Sequence, residues 1–200
     1  MIADFYTSDP HFWHRNQAER RGFAAAEEHD AVIVDNINKA ARAGDRLWLL
    51  GDVGLGYGAG ATERILGRVA ELAADVHLIL GNHDAPHPEH RGSVGQLQRW
   101  QASGVFASIQ LADCHRLAGH RVMLSHFPYQ GDHTEKDRAP CWRLRDEGRL
   151  LIHGHVHQPW KVRGRGIHVG LDAWDLKPVP RPVLEKLIAA EFGPAGQADE

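Results

Sequence analysis

One pattern recurs along this chain and limits what it can fold into. A short apolar run is followed by a tight turn and then by side chains that ligate metals or move protons. The fullest copy is Val76-His77-Leu78-Ile79-Leu80-Gly81-Asn82-His83-Asp84. Its apolar run reads as a buried β-strand, and the glycine ends it. Four further copies share the design: residues 2–7 lead to Asp9-Pro10-His11, residues 46–50 to Gly51-Asp52, residues 121–125 to His126, and residues 150–153 to Gly154-His155-Val156-His157. Loops just past the C-terminal ends of parallel strands are where α/β folds place their chemistry. The five loops are therefore expected to converge.

Between these strands the periodicity changes to helical. Residues 24–42 read as a helix with Val34, Ile37 and Ala41 on one face and Gly44 as its stop. Residues 62–74 place Ile65, Leu66, Val69 and Leu72 on another inward face, and residues 94–102 and 183–190 read as further helical elements. Ala118-Gly119-His120 reads as a hairpin turn, and residues 167–171 as another strand. Residues 129–148 are polar and weakly periodic, a surface insertion bordering the turn clusters. A strand–helix alternation at the front and a strand-rich back half point to α/β layers. The expected organisation is one domain over residues 1–192 with a disordered tail at 193–200.

Composition excludes several classes. With 42% hydrophobic residues in 200, the chain can bury a core. A formal charge of -3 without any block of like charge argues against stable binding to duplex nucleic acid, while leaving small nucleotides open. There is no basic leader followed by a long apolar segment and no run that would span a membrane. Cys114 and Cys141 read as reduced thiols, and the expected location is cytoplasmic. The stretch Gly54-Leu55-Gly56-Tyr57-Gly58-Ala59-Gly60 lacks the Gly-Lys-Ser/Thr of a phosphate loop and reads as a flexible connection.

The chain holds 15 histidines, and their positions matter more than their number. Period-two spacing puts Asp9 with His11, and His155 with His157, on one side of an extended segment. The five clusters together offer carboxylate, imidazole and amide oxygen ligands without a thiolate. That set suits manganese, iron or zinc rather than a cysteine-type structural zinc site. Any one cluster alone is an ordinary polar turn; five complementary ones after successive strands are not.

In order and spacing the clusters resemble the calcineurin-like metallophosphoesterase superfamily, whose blocks D-x-H, G-D, G-N-H-D/E, a lone H and G-H-x-H all occur between residues 9 and 157. Thr-Ser-Asp-Pro-His-Phe-Trp-His-Arg-Asn at residues 7–16 and Val-Gly-Leu-Asp-Ala-Trp-Asp at 169–175 resemble a small bacterial and phage branch of it. The resemblance implies an α/β fold, a four-layer α-β-β-α sandwich of two mixed sheets flanked by helices. It implies two divalent metal ions, manganese first, with iron or zinc as alternatives. Asp9, His11, Asp52 and His157 would hold one ion; Asp52, Asn82, His126 and His155 would hold the other, with Asp52 bridging. Such ions sit about 3.5–4 Å apart and clamp the attacking and leaving oxygens of an in-line displacement. Two divalent ions, two ligand carboxylates and a bridging hydroxide leave roughly one net positive charge to face a phosphate.

The implied activity is phosphodiester hydrolysis of small or cyclic nucleotides by the bridging hydroxide, with His83 as general acid and Asp84 as the carboxylate that orients it or raises its pKa. A phosphomonoesterase, a nuclease and a dinucleoside-polyphosphate hydrolase are the alternatives within the enzyme class. A non-catalytic protein-interaction scaffold is the alternative outside it, and the intact His83 and ligand positions favour the enzyme. His14, Arg15 and Asn16 are candidate substrate contacts, with Arg15 suited to a phosphate oxygen, or else a solvated loop. His153 is expected to be buried behind the ligands. His77, His115, His120 and His168 are expected at the surface, His87, His90 and His133 in polar loops, and Trp142, Trp160 and Trp174 in packing roles.

Overall fold

The computed structural model describes residues 2–55, 60–132, 134, 137 and 139–195. The front of the chain alternates strand and helix: β1 (Asp4–Thr7), α1 (Arg15–Arg20), α2 (Ala26–Ala40), β2 (Arg46–Leu49), α3 (Ala61–Ala70), β3 (Asp75–Ile79), α4 (Ser93–Ala102) and β4 (Ser108–Gln110). The back is strand-rich: β5 (Asp113–Leu117), β6 (His120–Leu124), β7 (Leu150–His153), β8 (Val162–Arg163), β9 (Gly166–His168), β10 (Val179–Pro180) and finally α5 (Arg181–Phe192).

The strands form two mixed sheets. The first has the order β10-β1-β2-β3-β4, with β1 to β4 parallel and β10 antiparallel at the edge. The second has the order β5-β6-β7-β9-β8, with a β5–β6 hairpin, parallel β6–β7 and β7–β9 pairs, and an antiparallel β8. Alternation along the strands divides the core in two. Tyr6, Trp48, Leu50 and Ile79 pack toward the second sheet, against Leu124, Ile152 and Ile167. Phe5, Leu47, Leu49 and Leu78 pack the opposite way, against Ile33 and Ile37 of α2 and Ile65 and Val69 of α3. The helices bury residues three or four apart, as an amphipathic stripe requires. Leu184 and Ile188 do the same for α5, joining the cluster between the sheets. Two mixed sheets with flanking helices are the layers expected.

Several local expectations change. Residues 8–16 read as a loop, yet α1 starts at Arg15, capped by His14, whose side chain accepts from the Gln17 N–H. Residues 167–171 do not continue as a strand: after β9 the chain turns at Gly170 into a short 3-10 helix over Leu171–Ala173. His120 and His168 are buried rather than exposed, and His77 and His115 are half-buried. Aromatic neighbours explain the difference. Trp48 stacks on His77 at 4.5 Å and meets His115 edge-on at 4.3 Å, while His168 lies under Trp160 and stacks on His153 at 5.6 Å. His87, expected in a polar loop, is buried against Phe127 and Trp142.

Both cysteines are free. Among the described residues no helix is long and apolar enough to cross a membrane. Residues 56–59 of the glycine-rich stretch, His133 and its neighbours at 135, 136 and 138, and tail residues 196–200 lie outside the described residues.

Candidate metal centre

The parallel strands β1, β2 and β3 of one sheet and β6 and β7 of the other deliver their loops to one place. Backbone bonds zip the loops together beyond the strands: Asp9 N–H donates to Gly51 O at 3.0 Å, His11 N–H to Asp52 O at 3.0 Å, and Gly154 N–H to His126 O at 3.0 Å. The turns are tight enough that five side chains with ligating atoms sit in left-handed backbone: Asp9 (φ 60°), His11 (51°), Asp52 (53°), His155 (73°) and His157 (48°). Each such residue costs about 1–3 kcal/mol and persists only when its surroundings hold it. Two glycines make the approach possible. A Cβ on Gly51 would come within 2.5 Å of Gly81 N, and one on Gly154 within 2.5 Å of Asp9 Oδ2.

Two groups of ligating atoms result, each with its members within 4.8 Å of one another: Asp9, His11 and His157 in one, Asp52, His126 and His155 in the other. Asp52 stands between them. Its Oδ2 lies 3.6 Å from His11 Nε2, and its Oδ1 lies 3.4 Å from His126 Nε2. Within the groups, His11 Nε2 and His157 Nε2 are 3.2 Å apart, as are His126 Nε2 and His155 Nδ1. Imidazole nitrogens converging at 3.2 Å are placed to share a cation.

Partners on the far side of each ring determine which nitrogen faces inward. His126 Nδ1 donates to Leu50 O at 2.7 Å, leaving Nε2 for the centre. His157 Nδ1 donates to the Asp172 carboxylate at 3.0 Å, and the Gln17 amide nitrogen lies 3.2 Å from the same atom. His155 Nε2 lies 3.1 Å from Asp132 Oδ2, so its Nδ1 faces the centre. Asp9 Oδ2 accepts from Ser8 Oγ at 2.6 Å and from the His155 N–H at 3.0 Å.

Electrostatics follow from burial and crowding. Burial and then neighbouring His157 push His11 well below the usual histidine range, and burial and then His126 push His155 down to about 4, so both rings are neutral and ready to ligate. Burial opposes the charge on Asp52, but His126 and His83 outweigh it and hold its carboxyl below the usual value. Burial likewise opposes the charge on Asp172, yet hydrogen bonds from Arg21 and His157 hold it far below the carboxylate range.

The donor set fits a first-row divalent cation: carboxylates and imidazoles, no thiolate. Asn82 supplies the sharpest test. Its Oδ1 is buried and accepts no hydrogen bond among the described residues. An unsatisfied buried acceptor costs roughly 1–3 kcal/mol, and a cation would satisfy it. The Asn82 backbone is held in turn by His90, whose Nε2 donates to Asn82 O at 2.8 Å.

The other expected residues divide. His83 joins the centre: its Nε2 is 4.0 Å from Asp52 Oδ2, its ring 5.3 Å from that of His11, and its N–H donates to Asp52 Oδ1 at 2.9 Å. His14 also turns inward, with its ring 6.2 Å from that of His83. Arg15 does not; it pairs with Glu19 at 2.8 Å on an exposed face of α1, and Asn16 is exposed beside it. Asp84 is not the carboxylate partner expected for His83. It is fully buried and accepts from the backbone N–H groups of Gly81 (2.7 Å), Val53 (2.8 Å) and Asp52 (3.1 Å), tying two ligand loops together. Burial and then the Asp52 charge push its carboxyl up to about 7.

Asp132, Asp172 and Arg21 escaped the sequence reading. Asp172 lies within the Val-Gly-Leu-Asp-Ala-Trp-Asp segment already singled out, whereas nothing local distinguishes Asp132 in its polar insertion or Arg21 at the end of α1. A separate cavity of about 630 Å³, walled by Tyr129, Trp160, His153 and the Arg163–Gly166 turn, contains none of the candidate ligands.

Residues 7–170 match the profile described as "Calcineurin-like phosphoesterase superfamily domain". The chain is 41% identical over 189 residues to the Gene 66 protein of Mycobacterium phage L5, covering 87% of this chain and 88% of the phage protein. It is 40% identical over 188 residues to the Gene 66 protein of Mycobacterium phage D29, covering 90% and 93%. A crystal structure of a protein of unknown function from Aquifex aeolicus is similar in fold, with a TM-score of 0.66 at 26% identity over 94% of this chain and 100% of that one. A match across most of the chain, on residues that form two ligand groups joined by Asp52, places the protein in the calcineurin-like phosphoesterase superfamily.

Proposed function

We propose that the protein is a binuclear metal-dependent phosphodiesterase of the cytoplasm, acting on small or cyclic nucleotide phosphodiesters, with manganese as the preferred ion. The observation that carries this reading is Asp52, whose two oxygens face histidines of different ligand groups at 3.6 and 3.4 Å. Asp9, His11 and His157 would complete one position, and Asn82, His126 and His155 the other. When bound, two divalent ions supply Lewis-acid charge that activates water and neutralises the phosphate. Only two of the seven ligand side chains are anionic, so the centre keeps a positive balance suited to a phosphoester.

His83 is the proton donor to the leaving oxygen. Its side chain is 24% exposed and therefore reachable, and it stands beside Asp52 while remaining outside both ligand groups. His14 is the substrate contact that the geometry supports. Its Nδ1 accepts the Gln17 N–H, so its proton sits on Nε2, and burial and then His83 lower its pKa and keep it a neutral donor. Arg15 and Asn16 face solvent, and Arg15 is paired with Glu19.

A panel of mono-, di- and cyclic phosphate esters assayed with added manganese tests the reaction class. The expected result is metal-dependent turnover of diesters; its absence with a generic diester would favour the scaffold alternative. His83→Ala is expected to slow esters with alkoxide leaving groups by about 10²–10⁴-fold and nitrophenolate esters far less. Equal losses on both would remove the acid role.

A further inference from the structure

The Arg21 side chain, only 4% exposed, uses every donor it has. A guanidinium carries five N–H groups. Nε–H donates to Asp172 Oδ1 at 2.9 Å, and Nη2 donates to Asp172 Oδ2 at 2.9 Å and to the Asp9 carbonyl at 2.9 Å. Nη1 donates to the Pro10 carbonyl at 3.3 Å and to His29 Nε2 at 3.0 Å.

These bonds extend into a circuit. His29 accepts at Nε2, so its proton is on Nδ1, which donates to Asp30 Oδ1 at 2.9 Å. Asp30 Oδ2 accepts from the Trp13 N–H at 2.9 Å. At the other end, Asp172 Oδ2 accepts from His157 Nδ1 at 3.0 Å. The guanidinium therefore grips two backbone carbonyls in the stretch where Asp9, His11 and Trp13 adopt left-handed φ, and it orients the carboxylate that sets the His157 tautomer. His29 and Asp30 are both fully buried near the N-terminal end of α2, where buried polar side chains need specific partners.

We infer that Arg21 is a positioning residue for one metal position only, acting through Asp172 and the Asp9–Trp13 backbone to present Asp9, His11 and His157 together. The other position has supports of its own, the Leu50 carbonyl behind His126 and Asp132 behind His155. The inference rests on the proposed metal centre and assigns the two positions different supports. A lysine could not replace Arg21, because its three donors radiate from one point and cannot fork across Asp172 while holding two carbonyls.

The test is a Co²⁺ titration of the metal-free protein, followed by visible absorption and calorimetry, for wild type, Arg21→Lys and Asp172→Asn. Wild type is expected to bind two ions. Both variants are expected to bind one ion as wild type does and the other about 10–100-fold more weakly, the usual effect of removing an outer-shell partner. Asp172→Asn leaves the buried Arg21 guanidinium without its carboxylate, so its metal-free melting temperature is expected to fall, and the readout is the difference between the two binding events within each variant. Two unaltered binding events in both variants, or equal weakening of both events, would overturn the inference. If wild type itself binds no Co²⁺, the metal-centre reading falls and this inference with it; if wild type binds two ions but turns over no ester, only the proposed activity falls.

Discussion

His153 and His168 form a pair of stacked rings on the far side of β7 from the sheet–sheet core, and their protonation should be visible in stability. Burial and then His168 push His153 down to about 3 from an ordinary value of 6.5, and burial lowers His168 as well. The unfolded chain therefore binds protons that the folded chain refuses. Folding stability is fully present above pH 6.5 and declines as pH falls toward about 3, by at most about 1.4 kcal/mol per pH unit for each ring. Urea unfolding between pH 7.5 and 5 checks this, with a shallower decline expected in His153→Asn. Legibility at this scale was uneven. The candidate ligands stood out because they sit in short motifs, while Asp132, Asp172 and Arg21 act across 23, 15 and 151 residues of sequence separation on His155, His157 and Asp172. No local window contains such pairs. Asp84 misled for the opposite reason: adjacency to His83 suggested a partnership, but the turn directs its carboxylate to backbone N–H groups instead.

Among the elements, α4 hangs on one residue. Trp100 is its only buried side chain, fully enclosed and stacked on Phe106 at 5.4 Å with the rings 6° from parallel. Its Nε1–H is buried without a hydrogen-bond partner among the described residues. Trp100→Ala should cost about 3–5 kcal/mol in chemical unfolding. Trp100→Phe should cost much less, because it restores a ring and removes the unsatisfied donor. Neither should change the number of Co²⁺ ions bound, since α4 contributes nothing to the ligand groups. The long helices and the buried parallel strands could be read from periodicity, but β4, β8 and β10 have three, two and two residues. Strands that short carry no period of their own and exist because a longer neighbour offers a free edge.

The molecule as a whole joins two sheets at the centre, since Asp9, Asp52 and Asn82 come from loops of one and His126, His155 and His157 from loops of the other. Ions held there would bind the native state and not the unfolded chain. At a concentration a hundredfold above its dissociation constant, each contributes about 2.7 kcal/mol. For a chain of this size, 1 kcal/mol moves the melting temperature about 2–4 °C. Chelation is thus expected to lower it by on the order of 5–10 °C per ion lost, with recovery on adding Mn²⁺. Differential scanning calorimetry checks this, and identical curves with and without chelator would mean that no ion links the sheets.

The sequence by itself determined the α/β layering, the family and which residues are candidate ligands, because each depends on local patterns: apolar runs, turn glycines and paired side chains at period two. Tertiary structure alone decided which nitrogen of each imidazole faces inward and which residues stand behind the candidate ligands. Those properties arise where segments far apart in the chain meet, and a buried guanidinium with five acceptors drawn from four residues can be recognised only once the chain has brought them together.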